Sequence, residues 1–182
     1  LAAAKAGSKR IITGLGGSCT NDGGCGMAAA LGIRFYDAQD REFVPTGGTL
    51  KEIRRIDMSR REKLLDQIEL LAMCDITNPL TGPEGAAHVF SPQKGADEGM
   101  IQELEAGMVH YASILEQTVQ IPKIRELPGG GAAGGMGTGM AALLGAKLIP
   151  GIQAVLDTVQ IDTLAEHADL ILTGEGKIDS QS

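Results

Sequence analysis

The clearest pattern along the chain is an amphipathic one. Between residues 97 and 119 the apolar side chains recur every three or four positions, which is the spacing of one face of an α-helix. The positions that carry this pattern are Ile101, Leu104, Met108, Tyr111, Leu115 and Val119. The pattern predicts one long helix over residues 97–119, with Asp97 as a capping residue and most of the apolar face in the core.

Shorter apolar runs predict strands that alternate with helices. The strand predictions cover residues 9–15, 33–36, 42–44, 68–76 and 169–173, and a turn over 37–40 makes the second and third a hairpin. The helix predictions cover residues 26–32, 50–56, 60–65, 140–147 and 152–168, in addition to 97–119. Strands that alternate with helices in this way indicate a layered α/β architecture.

Glycine is the residue type that departs most from ordinary composition. The 182 residues include 26 glycines, and 14 of these fall in residues 14–32 and 129–139. Glycine lets the backbone turn sharply or approach another group closely. Both segments are therefore candidates for contact with a ligand.

Charge, cysteine and aromatic content narrow the range of functions. The net charge is −7 and aromatic residues make up 3% of the chain, with no tryptophan, so binding to nucleic acid is not expected. Cys19, Cys25 and Cys74 have the spacing of neither a disulfide framework nor a zinc site. No apolar run reaches the ~20 residues of a membrane span and no signal sequence is visible, so we expect a cytoplasmic protein that binds no membrane.

The first candidate site is the polar, glycine-bordered segment that follows the strand at 9–15. Glycine lets backbone approach an anion, while hydroxyl, amide and carboxylate groups suit phosphate or Mg²⁺. The candidates are Gly16, Gly17, Ser18, Thr20, Asn21 and Asp22. The alternative is a tight strand-to-helix turn with a capping Asn or Asp. Our hypothesis is that Asp22 serves the chemistry as well as the fold.

The second candidate is the glycine-rich segment at 129–139. Gly129, Gly131 and Gly134 formally match G-x-G-x-x-G, but Pro128 replaces the strand that a dinucleotide site requires. The match therefore says little by itself. Two explanations of these glycines remain open. One is a helix N-terminus that holds phosphate, and the other is close packing of a helix on small residues. The candidates for phosphate binding are Gly130, Gly131, Gly134 and Gly135.

Three shorter polar segments complete the candidate chemistry. Asp75 and Asn78 follow the apolar run at 68–76, where an Asx turn would explain them equally well, and Gln93 and Lys94 precede the long helix. Residues 172–179 resemble a Walker A motif only superficially, because Ile171 and Ile178 stand at two of its fixed positions. Glu175 and Asp179 remain usable as metal, phosphate or base groups.

Four blocks of the sequence, taken together, resemble the bacterial glycerate kinase family of the glyoxylate and glucarate pathways. In chain order the blocks are GLGGSCTNDGGCGMAAALGIRF, CDITNPLTGPEGAAHVFSPQKGA, LPGGGAAGGMGTGMAALLGAKLIPGI and ADLILTGEGKIDSQS. Their order and separation fit the family over essentially the whole chain. Cys19 stands where the family usually has alanine, which is a small change in a crowded turn.

The resemblance implies a fold and an activity. Members of the family are two-domain α/β proteins, with a Rossmann-like, flavodoxin-type domain and a second α/β domain that has a mixed sheet. They phosphorylate glycerate with Mg-ATP, commonly giving 2-phosphoglycerate. The implied cofactors are ATP and Mg²⁺ and the implied partner is the small molecule glycerate, while a homo-oligomer remains open.

The resemblance also implies that the chain is an internal part of a longer protein. Family members are about twice as long and carry further motifs in an amino-terminal segment and further Rossmann-like elements in a carboxy-terminal one. We therefore expect residues 1–182 to hold mostly the second α/β domain, with part of the Rossmann-like domain. This fragment alone is expected to be inactive or nearly so.

The resemblance assigns no individual roles, so several alternatives stay open. Asp22, Asp75 and Asp179 are the candidate catalytic carboxylates, Glu175 is the candidate metal ligand, and Lys94 could hold a carboxylate or a phosphate. Two other functions compete with the kinase hypothesis. One is a nucleotide-dependent oxidoreductase, based on the glycine match at 129–134, and the other is a non-catalytic truncated fragment.

Overall fold

The structure, a computed structural model, describes residues 1–172 and 174. Its strands are β1 (Arg10–Gly14), β2 (Arg34–Tyr36), β3 (Glu42–Phe43), β4 (Arg55–Asp57), β5 (Glu69–Met73) and β6 (Lys147–Ile149). Its α-helices are α1 (Ala2–Lys5), α2 (Cys25–Ala30), α3 (Ala86–Phe90), α4 (Glu98–Val119), α5 (Ala132–Leu144), α6 (Gly151–Val159) and α7 (Ile161–Ala165). Short 3₁₀ helices occupy Gly47–Glu52, Lys63–Gln67, Pro92–Lys94 and Ile124–Glu126. The predicted α/β class is confirmed.

Three strands form a parallel sheet in the order β1–β5–β6. Ile12 pairs with Leu71, and Ala72 pairs with Leu148, so the three strands run in one direction. The carboxyl ends of parallel strands lie at the same edge of a sheet, where loops and helix N-termini can meet a ligand. The segments that follow β1 and β5, which carry Ser18 and Asp75, therefore begin at one edge.

A second, antiparallel sheet has the order β3–β2–β4. β2 pairs with β3 as the predicted hairpin, and Phe35 at its centre is fully buried. β4 pairs with β2 on the other side, through Phe35 and Ile56. This small sheet contributes Phe35 and Ile56 to the larger of two hydrophobic clusters.

The long helix α4 confirms the amphipathic pattern. Asp97 accepts a hydrogen bond from the backbone N–H of Met100 and so caps the helix at its predicted first turn. Met108, Tyr111 and Leu115 are fully buried, as their spacing predicts. The helix also contacts the turn that joins β1 to α2, because the hydroxyl of Tyr111 donates to the carbonyl oxygen of Gly23 at 3.2 Å.

Helix α5 begins inside the second glycine-rich segment, earlier than predicted. Ala133, Gly134 and Gly135 have positive φ angles of 53°, 66° and 89°, which make a left-handed turn near its start. Left-handed backbone is costly for a residue with a Cβ, and Ala133 is such a residue. The surrounding contacts must therefore hold this turn in place.

Four of the secondary-structure predictions are wrong. Residues 55–57 form β4 instead of the end of a helix over 50–56, and the predicted helix 60–65 is a 3₁₀ helix over Lys63–Gln67. The helix predicted over 140–147 ends at Leu144, and Lys147 begins β6. No strand forms over residues 169–172, where Leu170, Ile171 and Leu172 are exposed.

The chain divides into two units, Leu1–Gly151 and Ile152–Ser182. In the second unit the described residues include most of α6 and all of α7, which agrees with the predicted helical stretch at 152–168. Over the described part of the chain, no helix is both long and apolar enough to cross a membrane.

Candidate functional site

A cavity of about 590 Å³ lies at the edge where β1 and β5 end. Its wall comes from four parts of the chain, namely the loop after β1, the loop after β5, the region of α3 and the following 3₁₀ helix, and the start of α5. The lining residues are Leu15, Gly16, Gly17, Ser18, Cys19, Met73, Cys74, Asp75, Ile76, Phe90, Gln93, Lys94, Ala132 and Ala133. Six predicted site residues meet here, which are Gly16, Gly17, Ser18, Asp75, Gln93 and Lys94.

The loop after β1 offers backbone donors to this cavity. Within residues 1–172 and 174, the N–H groups of Gly16, Gly17 and Ser18 donate no hydrogen bond. Gly17 has a φ of 69°, in the left-handed region, so successive N–H groups can turn toward a common point. Such a concave run of free N–H groups is suited to an anion.

Lys94 is the cation of the cavity. Its Nζ donates to the carbonyl oxygen of Thr20 at 2.6 Å and to Oδ1 of Asn21 at 3.4 Å. Burial lowers the pKa of Lys94, while the nearby Cys19 and Asp22 act in the opposite direction. A half-buried ammonium interacts with an anion more strongly than an exposed one does, because less water screens it.

Asp75 brings a carboxylate to the same cavity from the loop after β5. Its Oδ1 accepts a hydrogen bond at 2.6 Å from the N–H of Gly151, the first residue of α6. This contact fixes the side chain while Oδ2 keeps acceptor capacity. Asp75 is thus both the partner of a helix terminus and an available ligand or base.

Asp22 lies in the turn before α2 and lines neither this cavity nor the smaller one described below. Its Oδ1 accepts from the N–H of Gly24 at 3.0 Å, and its Oδ2 accepts from the N–H of Gly26 at 2.9 Å. These two bonds satisfy free donors at the start of α2. Asp22 therefore bonds to the start of the helix as the capping alternative expects, although Gly24 and not Asp22 occupies the N-cap position, and a further chemical role stays a hypothesis.

Asn78 and the four candidate glycines at and before the start of α5 are engaged within the protein. The Nδ2 of Asn78 donates to the carbonyl oxygen of Glu84 at 2.8 Å, and its own carbonyl accepts from Gly131. Gly130 and Gly135 are buried as well, and a Cβ on Gly134 would lie 2.0 Å from the carbonyl oxygen of Thr20. The packing alternative therefore accounts for these positions, and a role in phosphate binding remains untested.

Two candidates, Glu175 and Asp179, lie outside the described residues. Among the residues that the structure does describe, no group of three or more His, Cys, Asp or Glu side chains could together hold a metal ion. Mg²⁺ usually takes one or two carboxylates together with substrate phosphates, so a single carboxylate such as Asp75 still fits this mode of binding.

Some residues of the site carry no signal that the sequence analysis used. Phe90 and Ala133 line the cavity, and Cys74 lines it while its Sγ donates to the carbonyl oxygens of Ile76 and Gly129. Cys74 directly follows β5, and a position at the end of a parallel strand is a signal that could have identified it. Phe90 and Ala133 reach the cavity through tertiary contacts alone.

A smaller cavity of about 280 Å³ has Lys94 in its wall as well. Its other walls come from the segment after β1, the 3₁₀ helix Gly47–Glu52, and the beginning of α4. The lining residues are Asn21, Gly48, Lys94, Gly95, Ala96, Met100, Glu103 and Leu104. Lys94 therefore borders both cavities, and Asn21 and Lys94 are the predicted site residues that the smaller one contains.

This geometry defines a class of protein, namely an α/β protein with a glycine-rich loop and a lysine at the carboxyl edge of a parallel sheet. The Glycerate kinase family matches residues 1–182. A Glycerate kinase from Halalkalibacterium halodurans is 46% identical over 97% of this chain and 46% of its own length. The Glycerate 2-kinase of Escherichia coli K12 is 43% identical over 100% of this chain and 48% of its own.

The fold is also similar to that of a solved structure from the same family. The crystal structure of a proposed glycerate kinase 2 from Salmonella typhimurium LT2 superposes with a TM-score of 0.91 at 45% identity. The superposition covers 100% of this chain and 48% of the Salmonella chain. The chain belongs to the Glycerate kinase family. It spans about half the length of the curated relatives it matches.

The competing oxidoreductase hypothesis finds no support in the fold. Its glycine match begins at Gly129, which follows the 3₁₀ helix Ile124–Glu126 and Pro128, whereas a dinucleotide site needs a strand at that point. A Cβ at Gly131 would lie 2.3 Å from the carbonyl oxygen of Pro79, so these glycines face protein backbone.

Proposed function

We propose that the full-length protein, meaning this chain with the flanking segments that its relatives carry, transfers the γ-phosphoryl group of ATP to a hydroxyl of glycerate. Family membership supports the substrate class. The observation that carries the proposal is the larger cavity, which is lined by Lys94 and by Gly16, Gly17 and Ser18, whose N–H groups donate no hydrogen bond to the described residues. Phosphoryl transfer needs this combination, because its catalysis consists mainly of positioning and of stabilising negative charge.

The proposed roles follow from the contacts of each group. The backbone donors of residues 16–18 and the ammonium of Lys94 would hold phosphate oxygens. Lys94 would also keep the segment of Thr20 and Asn21 in position, because it donates to both. Gln93 lines the same cavity and would contribute an amide to the bound phosphates or the acid.

A carboxylate must accept the proton of the attacking hydroxyl. Asp75 fits this role because it lines the cavity and is fixed through one oxygen by Gly151. Asp179 is the alternative base, and Glu175 is the proposed metal ligand. Bound Mg²⁺ would neutralise charge on the phosphates, with Asp75 as the described carboxylate best placed to assist.

The experiment is a test of glycerate-dependent ADP release by the full-length protein with Mg-ATP. We expect turnover with glycerate and a phosphorylated product that enolase consumes, because enolase accepts 2-phosphoglycerate and not the 3-phospho isomer. Product that enolase leaves untouched would contradict transfer to the 2-hydroxyl. ADP release that does not depend on glycerate would contradict the proposal as a whole.

A second arm measures the 182-residue chain by itself. We expect it to be inactive or nearly so, because the implied Rossmann-like domain would be incomplete. Turnover equal to that of the full-length protein would show that the flanking segments are not needed for catalysis.

A further inference from the structure

We propose that the smaller cavity binds the hydroxy acid while the larger cavity binds the phosphates of the nucleotide, with Lys94 in the wall that the two share. The inference rests on the proposed function and divides its site into two parts. Lys94 is a lining residue of both cavities, so a ligand in either one would lie beside the same ammonium group.

Size is the first reason for this division. The cavities measure about 590 and about 280 Å³. Pockets for ligands of drug size usually span ~300–1,000 Å³. The smaller cavity lies just below that range and fits a three-carbon acid with some water, whereas the larger one has the space that a chain of phosphates needs.

The donors of the smaller cavity fit a carboxylate. The Nζ of Lys94 has three hydrogens and makes two hydrogen bonds, so one N–H is available. The Oδ1 of Asn21 faces Lys94, and in the described part of the chain its Nδ2 donates no hydrogen bond. An ammonium and an amide that share one cavity are the groups expected for a small organic anion.

The other described residues of the smaller cavity fit the remainder of a hydroxy acid. Glu103 can accept hydrogen bonds from hydroxyl groups. Met100 and Leu104 supply apolar surface. An acid with hydroxyl groups on a short carbon chain matches a cavity that combines a cation, apolar surface and an acceptor.

The test fills each cavity separately in the full-length protein. Ala96→Leu adds bulk to the smaller cavity and Cys19→Leu adds bulk to the larger one, since each residue lines only one of them. Isothermal titration with glycerate and, separately, with Mg-ADP gives the two dissociation constants. Ala38→Leu, the same substitution at an exposed residue that lines neither cavity, serves as the matched control, and thermal midpoints verify that each variant folds.

We expect a crossed result, in which each leucine variant weakens the binding of one ligand and leaves the binding of the other nearly unchanged. Ala96→Leu should weaken glycerate binding at least about tenfold and change Mg-ADP binding less than about twofold, because a filled cavity excludes its own ligand first. Cys19→Leu should do the reverse, and Ala38→Leu should bind both ligands like the wild type. In addition, Glu103→Leu, which removes both acceptor oxygens, should lower the affinity for glycerate relative to that for propionate, which lacks hydroxyls.

Each other outcome has a definite meaning. Equal shifts of both ligands in both variants, or a loss of glycerate binding in Cys19→Leu alone, would overturn the division into two cavities. Wild-type protein that does not bind glycerate would overturn it as well. A third outcome is that the wild type binds glycerate, the two leucine variants show the crossed pattern, and the wild type does not phosphorylate glycerate. This outcome would contradict the proposed kinase activity and leave the division into two cavities standing.

Discussion

The two glycine-rich segments of this chain, residues 14–32 and 129–139, need glycine for different physical reasons. A Cβ placed on Gly16 or Gly17 would meet no atom within 4 Å, whereas a Cβ on Gly134 or Gly139 would lie 2.0 or 2.2 Å from a backbone oxygen. At Gly16 and Gly17 the first segment is open to the larger cavity, although a Cβ on Gly23 or Gly32, further along it, would lie 2.5 or 2.2 Å from other protein atoms. At Gly134 and Gly139 the second segment is closed by the protein itself.

The difference shows what a glycine contributes in each place. In the first segment glycine leaves room for something outside the chain, and only Gly17 of the pair needs its left-handed backbone. In the second segment glycine allows α5 to lie against the turn of residues 20–24, where Gly23 donates to the carbonyl oxygen of Gly134 at 3.0 Å. Glycine density by itself therefore does not identify a ligand site.

The largest effect is expected from a matched pair of alanine substitutions. Gly134→Ala places a methyl group 2.0 Å from the oxygen of Thr20 at a φ of 66°, so we expect it to lower the free energy of unfolding by roughly 2–5 kcal/mol. Gly16→Ala should change it by less than about 0.5 kcal/mol, because its Cβ meets open space. Urea unfolding of both variants measures this difference.

Equal stability losses in the two variants would contradict the contrast between an open and a closed segment. Unfolded protein from Gly134→Ala together with normal protein from Gly16→Ala would support it in its strongest form. Circular dichroism before titration distinguishes that outcome from poor expression.

The second-largest effect is expected on activity, from a substitution of Lys94, which lines the larger cavity together with Gly16 and Gly17. Lys94→Met in the full-length protein keeps the length of the side chain and removes the ammonium that touches Thr20 and borders both cavities. We expect kcat/KM for glycerate to fall roughly 10³-fold, because charge on the transferred group loses its partner. Steady-state kinetics checks this. Lys63→Met, at an exposed lysine that lines neither cavity, is the control that should retain activity.

The same lysine predicts a pH dependence. Burial lowers the pKa of Lys94 below the usual 10.5, so activity that needs the ammonium should decline at a lower alkaline pH than for an exposed lysine. The sign for stability is opposite. A lowered pKa in the folded state means that protonation disfavours folding, so wild type should gain stability relative to Lys94→Met as pH rises through that range. A pH-independent difference between the two proteins would contradict the burial of this charge.

The smallest effect is expected at Asp22, in the turn between the two segments. In the wild type the two carboxylate oxygens of Asp22 accept from the N–H groups of Gly24 and Gly26. Asp22→Asn leaves one acceptor oxygen for these two N–H groups. We expect the free energy of unfolding to fall by about 1 kcal/mol and kcat/KM to stay within about threefold at a temperature where both proteins are folded. Thermal melts and kinetics on the same samples measure both quantities.

A fall in kcat/KM of roughly 10²-fold in Asp22→Asn would instead support the hypothesis that its charge serves the chemistry. Aspartate and asparagine have nearly the same shape, so the substitution removes the charge and one acceptor without changing the volume of the side chain. Stability measured on the same samples reports the lost hydrogen bond, and kcat/KM reports the lost charge.

Elements with a strong local pattern could be predicted from the sequence. β1, β5 and α4 follow from their apolar runs, and the hairpin of β2 and β3 follows from its turn. β4 and β6 could not be predicted, because each has only three residues and depends on a strand that is distant in sequence. The stretch at 169–172 shows the reverse error, since an apolar run alone does not make a strand.

The candidate site shows the same limit. Ser18, Asp75 and Lys94 were predicted and lie around one cavity, because strand ends and the loop before α4 can be located from local patterns. The engagement of Asp22, Asn78 and Gly134 depends on contacts between distant segments, such as that of Thr20 with Gly134, which composition does not reveal.

The burial of the cysteines has a practical consequence for labelling. Cys25 is fully buried, and burial raises its pKa far above that of a free thiol, while burial also raises the pKa of the half-buried Cys74. Cys19 is exposed and lines the larger cavity. Since the thiolate is the reactive form, a thiol-specific fluorophore at neutral pH should attach to Cys19 well before the other two. In this chain a fluorophore on Cys19 would therefore report on the larger cavity without the addition or removal of a cysteine.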